Sequence, residues 1–228
     1  MSKKLWVLTL TILFTLAGSF AYSQEKPLKF GILGGLNMTT TNIEIPFMDS
    51  KIRPGLGIGG ILEYWISQKF GIHADAMYNM KGAKYDFNLS FMGASASAEL
   101  NWKFAYLSFP ILGKLAFGDR TRFILDFGPE FSFLLSAKQQ AKVDAMGQKE
   151  EEEIDIKEHM NSFEFAFDLG LGVEFLLGNT TLFIESRGSV SLNDIFKDKE
   201  FGEGINEVEM EDKAAANIAG SLRLGVLF

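Results

Sequence analysis

The segment "KFGIHADAMYNMK" sets His73 and Asp75 two residues apart. In an extended chain two such side chains share one face. A carboxylate beside an imidazole can orient it as a general base. Catalysis by this pair also needs a nucleophile held in an outward-facing cleft. His73 follows closely on a turn at Ser67-Gln68, so it is expected deep in the fold, as part of a polar interior. No catalytic residue is assigned.

Two other stretches have the residue types for chemistry. "GLGIGG" has the Gly-x-Gly-x-x-Gly spacing of dinucleotide loops, but such a loop must join a strand to a helix. Here an alternating pattern runs straight through it, so the glycines are read as space-makers within a strand and no cofactor is expected. The stretch "DAMGQKEEEEIDIKEHM" is strongly acidic. Carboxylate oxygens suit calcium, which makes Glu151, Glu153 and Asp155 the only metal candidates. The run lacks EF-hand spacing and its glycine, and the expectation is a solvated, self-repelling loop.

The elements that must position these residues begin after a leader. Lys3 and Lys4 precede an apolar run from Leu5 to about Ala17, and Ala21 and Ser23 are small residues before Gln24. This is the pattern of a secretory signal peptide over residues 1–23, leaving residues 24–228 as one exported domain. Losing the two lysines takes the formal net charge from −7 to about −9, which argues against nucleic-acid partners. The chain has no cysteine, so disulfides, thiolate metal sites and a thiol nucleophile are excluded.

Amphipathic helical patterns are nearly absent, and period-two alternation recurs in eight segments: "LKFGILGGLNM", "PGLGIGGILEYWIS", "KFGIHADAMYNMK", "AYLSFPILGKLAF", "TRFILDFGPEFSF", "FEFAFDLGLGVEFLL", "TLFIESRGSVSL" and "AGSLRLGVLF". Each is close to the 9–11 residues of a membrane-spanning strand. Short turns at Ser67-Gln68, Gly118-Asp119-Arg120 and Gly178-Asn179-Thr180 alternate with long connections over roughly 39–53, 82–100, 136–160 and 193–213. Short turns on one side and long loops on the other characterise outer-membrane barrels. Parts of the long connections also alternate. "YDFNLSF" and "SAELNWKF" are expected to form a hairpin above the membrane, and a second hairpin is expected to turn at Met146-Gly147.

The apolar faces carry most of the 22 phenylalanines. Phe30, Phe70, Phe117, Phe123, Phe175 and Phe228 are expected in a periplasmic aromatic girdle, with Tyr78, Phe133 and Phe163 toward the outer one. The opposite faces carry Glu63, His73, Asp75, Lys81, Lys114, Arg122, Asp126, Glu130, Asp168, Glu174, Glu185, Arg187 and Arg223. Acids and bases nearly balance, as a desolvated interior requires. Arg223 is expected to pair with Glu174, Glu185 or Glu63. The fold class is therefore all-β: an eight-stranded antiparallel up-and-down transmembrane β-barrel, too narrow for an open pore once its charges fill it.

The runs "FGILGGLN", "LEYWISQKFGIHADAMYNMKGAKY", "YLSFPILGKLAFG" and "DLGLGVEF" resemble the PorT-like outer-membrane β-barrels of Bacteroidota over essentially the whole mature chain. The resemblance implies an outer-membrane location and no catalytic residues. It also makes Phe228 the C-terminal aromatic that the barrel assembly machinery reads. Some members are associated with secretion across the outer membrane. Taken together, the expectation is a non-enzymatic protein, monomeric in outer-membrane lipid, with a closed polar interior. It would act structurally or through its outer loops on an extracellular or periplasmic partner. A secretion-accessory or small-solute transport role is the alternative, and an outer-membrane hydrolase the third.

Overall fold

The computed structural model describes residues 28–43, 48–91, 94–145, 148–197 and 215–228; the leader read at residues 1–23 lies outside them. The described residues form ten antiparallel strands in chain order: β1 (Leu28–Thr41), β2 (Asp49–Lys51), β3 (Arg53–Trp65), β4 (Phe70–Phe91), β5 (Ala94–Gly118), β6 (Thr121–Ala145), β7 (Gln148–Asp155), β8 (Phe163–Leu177), β9 (Thr180–Ser191) and β10 (Asn217–Leu227). The expectation of eight strands is thus corrected to ten.

Pairing runs from β4 through β3, β1, β10, β9, β8 and β6 to β5, and β4 also pairs with β5. The sheet therefore returns on itself, with Gly31 opposite Leu227 and Thr41 opposite Asn217 where β1 meets β10. It is an imperfect ring. β2 pairs with β4, and β7 pairs with β6, off the circuit. The ladders on both sides of β5 break at the same height: Ala74↔Ile111 is followed by Met77↔Ser108, and Pro110↔Glu130 by Gly113↔Phe127. Pro110 explains the position, since it has no N–H to give a ladder.

A second irregularity shifts the register at Ala105/Tyr106 and leaves Leu135 without an opposite residue on β5. The extra residue reverses the facing of β6. Below it Asp126, Glu130, Ser132 and Leu134 point inward; above it Ala137 and Gln139 do. This is the usual effect of a β-bulge.

β2 was not expected, and β7 was expected only as the return arm of a hairpin, for a common reason. β2 and β7 meet no lipid, so they carry no apolar alternation to read. β7 is "QKEEEEID", a poor strand former by composition. It is held because β6 continues beyond the top of β8 and offers β7 its edge, from Lys138↔Asp155 to Ala145↔Gln148. β6 and β7 thus form the second expected hairpin, whose turn at Met146-Gly147 lies outside the described residues. The other expected hairpin is also present, with Phe91 paired to Ala94.

The outward wall changes character with height. Ile32, Leu36, Leu56, Ile58, Leu107, Phe123, Leu171 and Leu224 are exposed around the body of the ring. Higher up, the outward positions become Lys84 and Asp86 on β4, Glu99 and Lys103 on β5, and Lys138 and Lys142 on β6. The change marks the upper limit of the hydrocarbon layer. The residues assigned to the girdles are outward and exposed. The Phe30 and Phe228 rings lie 6.3 Å apart, and those of Phe133 and Phe163 5.6 Å apart.

Candidate functional site: a buried ionic interior under an apolar cap

The side chains with chemistry converge on the inside of the ring. Glu63, His73, Asp75, Lys81, Lys114, Arg122, Asp126, Glu130, Asp168, Glu174, Glu185, Arg187 and Arg223 are all buried. Their strands put them there through simple alternation, and the structure sorts them into three layers.

Nearest the short turns, Lys114 on β5 contacts both Glu63 on β3 and Glu174 on β8. Arg122 Nη2 donates to Glu174 Oε2 at 2.6 Å, and its guanidinium lies 4.4 Å from the Trp65 ring centre. This cation–π contact roofs the periplasmic mouth with an aromatic.

In the middle layer His73 Nε2 and Asp75 Oδ1 are 2.6 Å apart. Asp126 lies 3.8 Å from His73 Nδ1. Arg187 forks onto Glu185, with Nε to Oε1 at 2.5 Å and Nη2 to Oε2 at 2.9 Å. Its remaining arm reaches Asp75 at 3.2 Å and Asp168 at 3.7 Å. The expectation for Arg223 is corrected here: its ion-pair partner is Asp75, at 3.5 Å, and it also donates to Ser221. Glu185 lies directly opposite Arg223 in the ladder, but both oxygens of Glu185 are already held by Arg187. Gly170 makes the crowding feasible, because a Cβ there would fall 2.2 Å from Glu185 Oε1.

In the third layer Lys81 donates to Glu130 at 2.8 Å and to Glu164 at 2.6 Å. Glu164 is a buried acid the sequence reading missed. Asn217 holds its second oxygen at 2.5 Å, and Ser132 donates to Glu130 at 2.8 Å. The signal for Glu164 was present: it begins the inward series 164, 166, 168 on β8, two steps above Asp168.

Above the ions sits an apolar cap that no single segment announces. Tyr85, Leu100, Trp102, Phe104, Leu134 and Ala137 from β4, β5 and β6 enclose Ile43, Ile156, Met160, Ile195, Phe196 and Ala215 from the connections. The connections are tied in place. Asn161 donates to the carbonyls of Asp194 and Phe196, and the Tyr85 hydroxyl donates to the Ile43 carbonyl at 3.1 Å. The cap buries apolar surface at the outward end, above the ionic layers.

The metal candidates are engaged elsewhere. Glu153 accepts from Lys138 at 2.7 Å and from Lys103 at 2.9 Å, and Glu151 lies against Gln140 and Lys142. Asp155 Oδ1 accepts from the Lys157 N–H at 2.9 Å. The two lysines hold the Glu153 carboxyl well below its ordinary value of 4.5, at about 2, with Lys138 the larger influence. Among the described residues no cluster of three or more acids or histidines is placed to hold a metal ion.

A ring of antiparallel strands that is apolar outside and ionic inside is built to stand in a bilayer, where every backbone group must be paired internally. That defines the class as a membrane-spanning β-barrel protein. Residues 20–197 match the family described as "Outer membrane protein beta-barrel domain", and the chain belongs to that family. It is therefore a protein of the bacterial outer membrane. No curated protein matches it. Similar solved structures include Neisserial surface protein A, at 11% identity and TM-score 0.42, covering 90% of this chain and 98% of that one. The attachment invasion locus protein Ail of Yersinia pestis is 11% identical at TM-score 0.35, with 89% and 98% covered. OprG of Pseudomonas aeruginosa is 9% identical at TM-score 0.42, with 90% and 97% covered.

Proposed function

We propose that this is a non-enzymatic, non-conducting outer-membrane protein that acts through the strands it raises above the lipid. The observation that carries the proposal is the contrast between its two halves. Within the membrane the interior is filled by charged side chains, most of them in ion pairs, and capped by apolar side chains. Above the membrane β2, β4, β5, β6 and β7 continue as a solvated wall. His73 supports the absence of catalysis, since it is fully buried between acids and the layers above and below it.

The resemblance to PorT-like barrels belongs with this reading, because a secretion-associated role is exercised by contact with other proteins. The protein acts as a monomer in outer-membrane lipid, and the barrel assembly machinery inserts it.

Two measurements test the proposal. The purified protein in a planar bilayer is expected to show no single-channel conductance; steady openings would overturn the non-conducting claim. A variant whose β6–β7 hairpin is shortened by replacing residues 140–153 with Asn-Gly is expected to keep the heat-resistant folded band of a barrel on gels. It should also lose the proteins or glycans that co-purify with the full chain from native membranes. Unchanged co-purification would overturn the assignment of function to the wall.

A further inference from the structure

The lane beside β6 changes occupant with height. Low on the ring β8 fills it from Thr121↔Phe175 to Phe133↔Phe163, and β9 pairs with β8 on the far side. Higher up β7 fills it, but β9 ends at Ser191. No described strand lies on the far side of β7. The β6–β7 ladder is regular over all its pairs, and β7 contains no proline, glycine or bulge. Among the described residues its outer edge is therefore a row of backbone groups with no strand beside it, about 27 Å long at the usual rise of a strand. Such an edge is a template for another strand unless something guards it.

The two faces of β7 differ. Glu151 and Glu153 stand on the face shared with Lys103, Lys138 and Lys142, which pair with them. Glu150, Glu152 and Ile154 stand on the other face, opposite Val143, Ala141 and Gln139, none of them charged. Val143 and Ile154 remain 46% and 43% exposed. Along this face the edge reads acid, acid, apolar. A second copy of the chain is a poor occupant, because antiparallel β7 strands would set glutamates beside glutamates.

Resting on the reading that the wall is the working part, we propose that β7 is a strand-addition site for an extended cationic segment of a partner protein. Run antiparallel, that segment places an apolar residue by Ile154. Lysine or arginine then follows at alternate positions beside Glu152 and Glu150. Backbone hydrogen bonds to the edge supply binding, and the alternate side chains supply selection, as in other strand-addition sites.

The test uses the full protein in lipid nanodiscs and a labelled peptide, Val-Thr-Lys-Thr-Lys-Thr. Controls are the same peptide with glutamate for lysine, and the lysine peptide N-methylated at alternate amides. The lysine peptide is expected to bind at low salt and to slow hydrogen exchange over residues 148–155. Both controls should bind at least tenfold more weakly. The double variant Glu150→Lys/Glu152→Lys, at two exposed positions, should reverse the preference toward the glutamate peptide.

Equal binding of the methylated peptide would reduce the site to charge attraction and overturn strand addition. Binding of neither peptide, or dimerisation lost on charge reversal, would overturn the proposal as well. If the hairpin-dependent co-purification described above persists in that case, only the assignment to the β7 edge fails. If co-purification is itself independent of the hairpin, the broader reading fails.

Discussion

Arg187 on β9 reaches Asp75 on β4 at 3.2 Å, although three strands separate β9 from β4 around that side of the ring. The bond spans the interior, and a second arm of the same guanidinium grips Glu185 beside it. One side chain therefore braces opposite walls. A buried cation placed among three carboxylates compensates charges that water cannot reach.

Arg187→Leu is expected to destabilise the folded protein by about 3–5 kcal/mol, since Glu185, Asp75 and Asp168 then lose their shared cation. Arg223→Leu should cost less, because Arg223 meets Asp75 only at 3.5 Å. Urea unfolding of the two variants in detergent ranks them, and an equal or reversed order would contradict this division of labour.

Gly170→Ala drives a methyl into the space of the Glu185 carboxylate. Overpacking of this kind costs about 1–3 kcal/mol. Gly188→Ala, where the nearest atom stands 4.0 Å away, serves as the control and should leave the thermal midpoint nearly unchanged.

The Glu153 bridges to Lys103 and Lys138 tie β7 to the wall. Because the folded-state carboxyl is held at about 2, below its ordinary value of 4.5, its contribution is fully present above that ordinary value. It is lost as pH falls through about 2. Hydrogen exchange over residues 148–155, corrected for intrinsic rates, should therefore show protection at pH 6 that declines toward pH 2. Glu153→Gln should remove part of it at pH 6. These bridges are solvent-exposed, so the effect is local and the ring itself should not respond.

The Phe228 N–H donates to the Phe30 carbonyl at 2.8 Å while the two rings meet at 6.3 Å. Phe228→Ala keeps the first contact and loses the second, which should cost about 0.5–1.5 kcal/mol in refolded protein. A several-fold drop in the amount assembled in cells, larger than that loss explains, would give Phe228 a part in insertion beyond this packing. Equal losses in cells and in detergent would confine Phe228 to packing.

Much of the body of the ring is legible residue by residue. Ile32, Leu36 and Leu224 face out, and Glu63, Lys114 and Arg223 face in, because side chains alternate strictly along an extended chain. The wall above the membrane is less legible. Leu135 looks like any other apolar residue, yet as the extra residue of a bulge it turns Ala137 and Gln139 inward. The acids of "KEEEE" look like a free loop until Lys103 and Lys138 arrive beside them from other strands.

Alternation is a local property, so the sequence alone determined which side of each spanning strand meets lipid and which charged residues must share an interior. The near-balance expected of those charges is looser in the structure, where Glu164 brings the buried acids to eight against five bases and His73. Partnership is not local. Only the tertiary structure decided that Arg223 turns to Asp75 because Arg187 already occupies Glu185, and that Lys81 finds Glu164. It likewise decided that Ile43, Trp102, Met160 and Phe196, drawn from four separate stretches, close over the ions as one cap. Each of these depends on the register in which strands far apart in the chain meet around the ring, and a shift of one residue would exchange every partner.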